Sequence, residues 1–386
     1  MAKETLTVKN FGPIREAHLD LQKVTVLIGE QASGKSVLAK LVAIFSDILL
    51  EARPLKNVAW EFYNLENFIS NESKVEFKGE HFQQTFEGEI HKEMCAEDLA
   101  KYFEQYEKKR EQWENDLFDS QIKSNRTAEE RNRSRANREE MSIQRKYLSN
   151  IGGIPKYIPA ERPLVSVLAK SIFQLIDNDI KIPRFLTDFA AEFEIAREGK
   201  PEFKIPFLRT SYSFKGGKDK VLLSKNQEIE LSESATGFQT AIPMALVIEH
   251  LQEKGKYLFI IEEPELNLYP STQKRLVEYI VEKCTKGDNR LIITTHSPYI
   301  LTALNNCIEA SNALKANPDA KAEVDALVPP ASQIDFADVS AYFVADGTAR
   351  SIMNEEYQII DANALDDISD ELSQVHNSLT DIKYQL

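Results

Sequence analysis

Gly29, Gly34, Lys35 and Ser36, with Glu30, Gln31, Ala32 and Ser33 between the glycines, spell G-x-x-x-x-G-K-S. The apolar run Val24-Thr25-Val26-Leu27-Ile28 precedes this segment, and a helical pattern from Val37 to Leu50 follows it. A strand, a glycine-rich turn and a helix in that order are the setting in which such a motif binds phosphate. The glycines let consecutive backbone N–H groups, and the positive end of the following helix, face an anion. Lys35 is expected to reach the β- and γ-phosphates of a nucleoside triphosphate, and Ser36 to hold Mg²⁺. Gly29 through Val37 are thus the candidate nucleotide-binding residues.

A second group of chemically capable residues lies far along the chain. Leu258-Phe259-Ile260-Ile261 is fully apolar and runs into Glu262-Glu263, the pattern of a central parallel strand that delivers carboxylates to a ligand-binding sheet edge. Glu262 is expected to hold Mg²⁺ through water, and Glu263 to orient the attacking water. Another apolar strand, Leu291-Ile292-Ile293-Thr294-Thr295, ends in His296-Ser297-Pro298, where a neutral imidazole can donate a hydrogen bond to a γ-phosphate. Between the two motif regions, Leu231 to Gln239 places hydroxyls and a glycine at the start of a helix running to about Glu253. Such a segment is an ordinary N-cap or an anion site.

The elements that must hold these groups can be read from pattern. Leu6 to Ile28 reads as two strands around the turn Asn10-Phe11-Gly12-Pro13, and Val75–Lys78 with Phe82–Ile90 as a hairpin extending a sheet. From Ala96 to Lys146 the chain turns polar and charged without proline or glycine, the profile of exposed helix. Its arginines and glutamates suit a solvated face, a protein-docking surface or a DNA-contacting arm. After Gly152-Gly153, Lys156 to Arg162 reads as a short strand and turn. Leu164 to Glu198 reads as helical, Phe207–Phe214 and Val221–Leu223 as strands, and Ser351 to Leu386 as an acidic helical tail.

A chain of 386 residues can bury a large core, and its formal net charge of −14 disfavours a general nucleic-acid coat while leaving DNA binding by a local basic face open. Cys95, Cys284 and Cys307 are scattered and form no C-x-x-C pair, so they read as reduced structural residues. The mostly apolar stretch Val37–Leu50 is too short to span a bilayer, and Met1 to Lys9 shows no targeting pattern. A cytoplasmic protein without membrane contact is expected.

The phosphate loop, the Thr236-Gly237-Gln239 segment, Ile261-Glu262-Glu263-Pro264-Glu265 with Pro270, and Thr295-His296-Ser297-Pro298 stand in an order that resembles the ABC-like AAA ATPases related to OLD, RecF and SMC heads. Tyr157-Ile158-Pro159-Ala160-Glu161-Arg162 is similar to a further signature of the bacterial OLD-like branch. The resemblance covers nearly the whole chain. It implies an α/β fold, a P-loop ABC-ATPase-like head with a mixed β-sheet lobe and a helical insertion. The head would comprise residues 1–92 and 203–350, the insertion lobe 93–202, and a C-terminal helical tail 351–386.

The resemblance also implies ATP and Mg²⁺ as cofactors, with Glu263, His296 and Lys35 as catalytic residues. Thr236, Gly237 and Gln239 would contact the γ-phosphate bound to a second subunit, giving a head-to-tail ATP sandwich dimer that admits higher homo-oligomers. Thr236 stands where serine is usual in that signature, Glu262 where aspartate is usual, and Tyr269 where histidine is frequent. OLD nucleases continue into a TOPRIM domain, for which the segment after His296 has little room. A TOPRIM nuclease or toxin is therefore expected as a separate effector. The implied role is a sensor or switch in anti-phage defence, similar to the ATPase of the PARIS system. The alternative is a RecF- or SMC-like DNA repair or chromosome-maintenance ATPase. A degraded, scaffold-only site is opposed by the retention of Lys35, Glu263 and His296.

Overall fold

A computed structural model describes residues 4–47, 56–79, 82–88, 90–95, 153–168, 182–224 and 227–361, with isolated residues beyond. The helical insertion expected over Ala96 to Lys146 and nearly all of the tail past Asp361 lie outside the described residues.

Among the described residues, one 11-stranded sheet organises the molecule, with two smaller sheets beside it. Its strands, in chain order, are β1 (Glu4–Phe11), β2 (Ile14–Leu21), β3 (Val24–Ile28), β4 (Lys74–Lys78), β5 (Phe82–Glu87), β6 (Ile90–Cys95), β7 (Ile154–Ile158), β12 (Tyr257–Glu262), β13 (Arg290–Thr295), β14 (Val339–Ala345) and β15 (Thr348–Ser351). The strands β8 (Glu202–Ile205), β9 (Thr210–Lys215), β10 (Lys218–Ser224) and β11 (Gln227–Glu230) make a separate antiparallel sheet. The large sheet runs β6-β5-β4-β1-β2-β15-β14-β3-β13-β12-β7.

Two chemistries of strand meet in that order. β3 (VTVLI) and β12 (YLFIIE) are buried at every position, and β13 (RLIITT) at all but its first; continuous apolar runs of this kind pair in parallel under helices on both faces. β7, β12, β13, β3 and β14 are parallel neighbours. β1, by contrast, alternates buried Leu6 and Val8 with more exposed neighbours, and it pairs antiparallel with both β2 and β4. The outcome is a parallel α/β core carrying an antiparallel wing, the mixed sheet anticipated from sequence.

The helices are α1 (Lys35–Phe45), α2 (Lys56–Phe62), α3 (Pro163–Leu168), α4 (Arg184–Gly199), α5 (Thr236–Leu251), α6 (Pro270–Cys284), α7 (Pro298–Ala316) and α8 (Lys321–Leu327). α1 buries Val37, Leu38, Ala39, Leu41, Val42, Ala43, Ile44 and Phe45, so it lies deep beside the sheet rather than on the surface. No helix among the described residues is long and apolar enough to cross a membrane.

Three boundaries differ from the expectation. Ile154–Ile158, placed in the insertion lobe 93–202, is instead the edge strand β7 of the main sheet, its Tyr157 and Ile158 opposite Ile260 and Ile261 of β12. Backbone pairing with the apolar β12 outweighs the polar segment before it. Phe207 opens no strand; it is buried in a turn ahead of β9, its carbonyl accepting from Arg275 Nε at 3.0 Å. The beginning of the tail is not helical. Met353–Asn354 pairs with Ile359–Ile360 in a two-stranded ribbon. Asn305 of α7 pins it by accepting from the Ile360 N–H and donating to the Ile360 carbonyl, both at 2.8 Å.

Candidate functional site

Parallel pairing brings the carboxyl ends of the core strands to one edge. Ile28 stands opposite Thr295 and Phe343, Thr294 opposite Glu262, and Ile261 opposite Ile158. The phosphate loop, His296, Glu263 and the turn Pro159–Arg162 consequently leave the sheet side by side. This is where ligands bind in open α/β sheets. β3 and β12 are not neighbours; β13 lies between them and carries His296 into the space separating loop from carboxylates.

The loop conformation depends on its glycines. Gly34, at φ 105°, directly precedes α1, and a side chain there would bring Cβ within 2.4 Å of Ile14 Cδ1. At Gly29 a Cβ would fall 2.2 Å from the Val344 carbonyl oxygen of β14. The loop is therefore clamped between the β1–β2 turn and β14. Ala32 also lies in the left-handed region, at φ 61°. Glu30, Gln31 and Ser36 are exposed, Val37 is buried, and the Ser33 hydroxyl is buried without a hydrogen-bond partner among the described residues.

Lys35 is 5% exposed, and its ammonium donates to the Gly29 and Glu30 carbonyls at 2.9 and 2.6 Å. Burial lowers its pKa; the carboxylates of Glu263, Glu265, Glu262 and Glu30 pull the other way. Residues from the two ends of the sequence motif set thus share one electrostatic environment. A cation buried among carboxylates is positioned to meet phosphate oxygens, which would supply the charge and hydrogen bonds now provided by the loop.

Glu262 is 3% exposed, and its Oε1 has no hydrogen-bond partner among the described residues. A buried carboxylate oxygen without a donor is costly unless a cation or water meets it. Together with the exposed Ser36 hydroxyl next to Lys35, it fits the hard oxygen donors that Mg²⁺ takes, with water completing the shell. Tyr157 is buried nearby, and burial followed by the Glu262 charge holds its phenol far above the usual range.

Glu263 adopts φ 41°, a left-handed backbone that a non-glycine residue takes only when its surroundings enforce it. Its N–H donates to the Thr294 carbonyl at 2.9 Å. Its Oε1 lies 3.5 Å from His296 Nδ1, and the His296 side chain is 42% exposed, open to a ligand. The predicted catalytic trio of Lys35, Glu263 and His296 is therefore brought together.

Two further residues join the site that motif assignment passed over. Glu265, 3% exposed, accepts from the Thr295 hydroxyl at 2.5 Å and the His296 N–H at 3.2 Å, so it fixes the end of β13 against the acidic segment. Its signal was present as the second acid of Glu263-Pro264-Glu265. Arg162 is fully buried and donates to four backbone carbonyls, Pro159 at 2.8 Å, Thr240 at 3.2 Å, Glu262 at 2.6 Å and Glu263 at 2.7 Å. Burial pulls its guanidinium down to about 10, against the Glu265, Glu262 and Glu263 charges. Only its place in the Tyr157–Arg162 signature marked it in the sequence.

The segment Thr236-Gly237-Gln239 forms the first turn of α5 at the same edge. Thr236 is exposed, but Gly237 packs within its own chain: a Cβ there would lie 2.7 Å from the Asn267 carbonyl oxygen. Gln239 donates to the Ser232 and Ser234 carbonyls at 3.2 and 2.8 Å, bracing the turn ahead of the helix. Of the three, Thr236 presents the free surface.

The chain belongs to the AAA family described as "AAA domain, putative AbiEii toxin, Type IV TA system", whose profile matches residues 24–302. It is 30% identical over 197 residues to the Old nuclease of Escherichia phage P2; the match spans 47% of this chain and only 30% of that protein. Weak structural likeness extends to the SMC head domain from Thermotoga maritima (TM-score 0.39, 12% identity, 91% of this chain and 98% of that one). An SMC head bound to the C-winged helix domain of ScpA gives a TM-score of 0.46 at 11% identity, over 92% and 99% of the two chains.

Proposed function

We propose that this AAA-family chain is a Mg²⁺-dependent ATPase whose site is completed by a second copy of itself, and that its nucleotide state controls a separate effector in anti-phage defence. The observation that supports it most strongly is the convergence of Lys35 from the phosphate loop with Glu262, Glu263 and Glu265 and, through Glu263, with His296.

The residues divide the work by chemistry. The loop N–H groups and Lys35 bind and neutralise the phosphate chain, keeping the γ-phosphoryl group in line for attack. Ser36 and Glu262 would hold Mg²⁺, which when bound offsets phosphate charge. Glu263 orients a water and accepts its proton, a contribution of about 10²–10⁴-fold in such reactions. His296, beside Glu263, donates to the γ-phosphate oxygen as negative charge is redistributed. Thr236, at the exposed positive end of α5, approaches the γ-phosphate held by a partner, so ATP favours the closed dimer and hydrolysis removes that preference.

Kinship with a nuclease, over 30% of that relative's length, supports a nucleic-acid-directed outcome. The test is Mg²⁺-dependent phosphate release. Lys35→Ala should lose nucleotide binding or turnover, while Glu263→Gln should bind ATP normally and release phosphate at least about 100-fold more slowly. Undiminished turnover in Glu263→Gln would remove the assigned chemistry. Co-purification of a toxic partner that dissociates or activates with ATP state supports the effector role; equal phage sensitivity with wild-type and Lys35→Ala protein opposes it.

A further inference from the structure

A fully buried arginine ordinarily pairs with a carboxylate, because an isolated interior charge is expensive. Arg162 instead spends its hydrogen bonds on backbone carbonyls of three separate elements. Pro159 belongs to the turn after β7, Thr240 to the first turns of α5, and Glu262 and Glu263 to the end of β12. A planar guanidinium with several fixed N–H donors can serve such a set, and few other side chains could.

The carbonyl of Glu263 is the informative partner. That residue is held at φ 41°, its N–H secured by the Thr294 carbonyl and its carbonyl accepting from Arg162 at 2.7 Å and from the Leu266 N–H at 3.1 Å. Its carboxylate reaches His296 from this strained backbone. Without Arg162 the carbonyl would keep only the turn bond from Leu266, and the strained backbone could relax and turn the side chain away.

The same guanidinium touches α5, and other contacts bind α5 to the loop following Glu263. Gly237 packs against the Asn267 carbonyl, and Asn267 Nδ2 donates to the Thr240 hydroxyl at 3.4 Å. α3 adds the Ser166 hydroxyl, which lies 3.4 Å from the Gln239 carbonyl. That carbonyl lacks its usual helical donor because Pro243 has no N–H. The start of α5, where Thr236 is exposed, is therefore mechanically continuous with Glu263.

We infer that Arg162 is a positioning residue that holds Glu263 in its working orientation and links it to the partner-facing turn of α5. The inference rests on the reading of Glu263 as the water-orienting carboxylate. Engagement of Thr236 by a partner's nucleotide would be transmitted through Thr240 and Arg162 to the hydrolytic carboxylate, while nucleotide affinity is set by the phosphate loop, to which Arg162 makes no hydrogen bond among the described residues.

The test compares Arg162→Lys, Arg162→Gln, Glu263→Gln and the double variant Arg162→Lys with Glu263→Gln, using Mg·ATP turnover, trinitrophenyl-ATP binding and thermal melting. In a folded Arg162 variant kcat should fall at least about 10-fold, with KM and fluorescent-nucleotide affinity within about 3-fold of wild type. The double variant should turn over no more slowly than Glu263→Gln alone, because both changes act on one group.

An unchanged kcat in either folded Arg162 variant, a loss confined to KM or nucleotide affinity, or a multiplicative loss in the double variant would overturn the inference. Failure of both Arg162 variants to fold would overturn it too, by making the residue a structural pillar alone. The premise is separable. Wild-type turnover in Glu263→Gln removes the hydrolytic assignment itself, whereas an inactive Glu263→Gln beside a fully active Arg162→Lys removes only the role of Arg162.

Discussion

Glu265 divides its work between two donors, and that division fixes what its replacement should do. Glu265→Ala leaves the buried Thr295 hydroxyl and the His296 N–H without their acceptor, a cost of about 1–3 kcal/mol for each unsatisfied group. The end of β13 then loosens and His296 loses its register with Glu263. Glu265→Gln keeps an acceptor oxygen and should retain both bonds. Denaturant unfolding with phosphate release should therefore show a less stable, slower Ala variant and a Gln variant closer to wild type in both. Equal loss in the two would show that the negative charge beside Lys35, not the acceptor, is what matters there. At this scale the sequence was legible where spacing carries the chemistry: Lys35, Glu262, Glu263 and His296 were each nameable and share one edge. Arg162 was not nameable as a site residue, because its partners are backbone carbonyls from Pro159 to Glu263 and carbonyls leave no trace in a motif.

The core strands were readable because a strand buried on both faces must be continuously apolar, as β12 and most of β13 are. What pattern could not supply was their order. Nothing in Leu291–Thr295 says that β13 inserts between β3 and β12, yet that insertion is what places His296 between the loop and the acids. β7 was recognised as a strand and assigned to the wrong unit, since partnership with β12 comes from a segment about a hundred residues away in the chain. The helices pack by the same rule of apolar faces. Cys284 of α6 is fully buried and Cys307 of α7 1% exposed; burial pushes the Cys284 thiol well up and the Cys307 thiol up to about 12. Both should resist iodoacetamide at pH 8 in the native protein and react once it is unfolded, read by peptide mass spectrometry. Rapid native labelling of either would mean that α6 and α7 separate from the core.

As a whole, the molecule presents the phosphate loop and the exposed Thr236 on one sheet edge, each able to serve a nucleotide, and in the proposed symmetric pair they serve two different ones. Gly237 is a poor probe of that claim, because any side chain there meets the Asn267 carbonyl of its own chain. Thr236 is exposed and free of that conflict. The decisive measurement is phosphate release on titrating Lys35→Ala into Thr236→Arg protein, with subunit exchange verified by pull-down of differently tagged chains. Each variant alone should be inactive, and Thr236→Arg should still bind ATP. An equal mixture should recover about a quarter of wild-type activity, since half the dimers are mixed and each holds one intact site of two. Wild-type hydrolysis by Thr236→Arg alone, or no recovery despite proven exchange, would contradict a site shared between subunits.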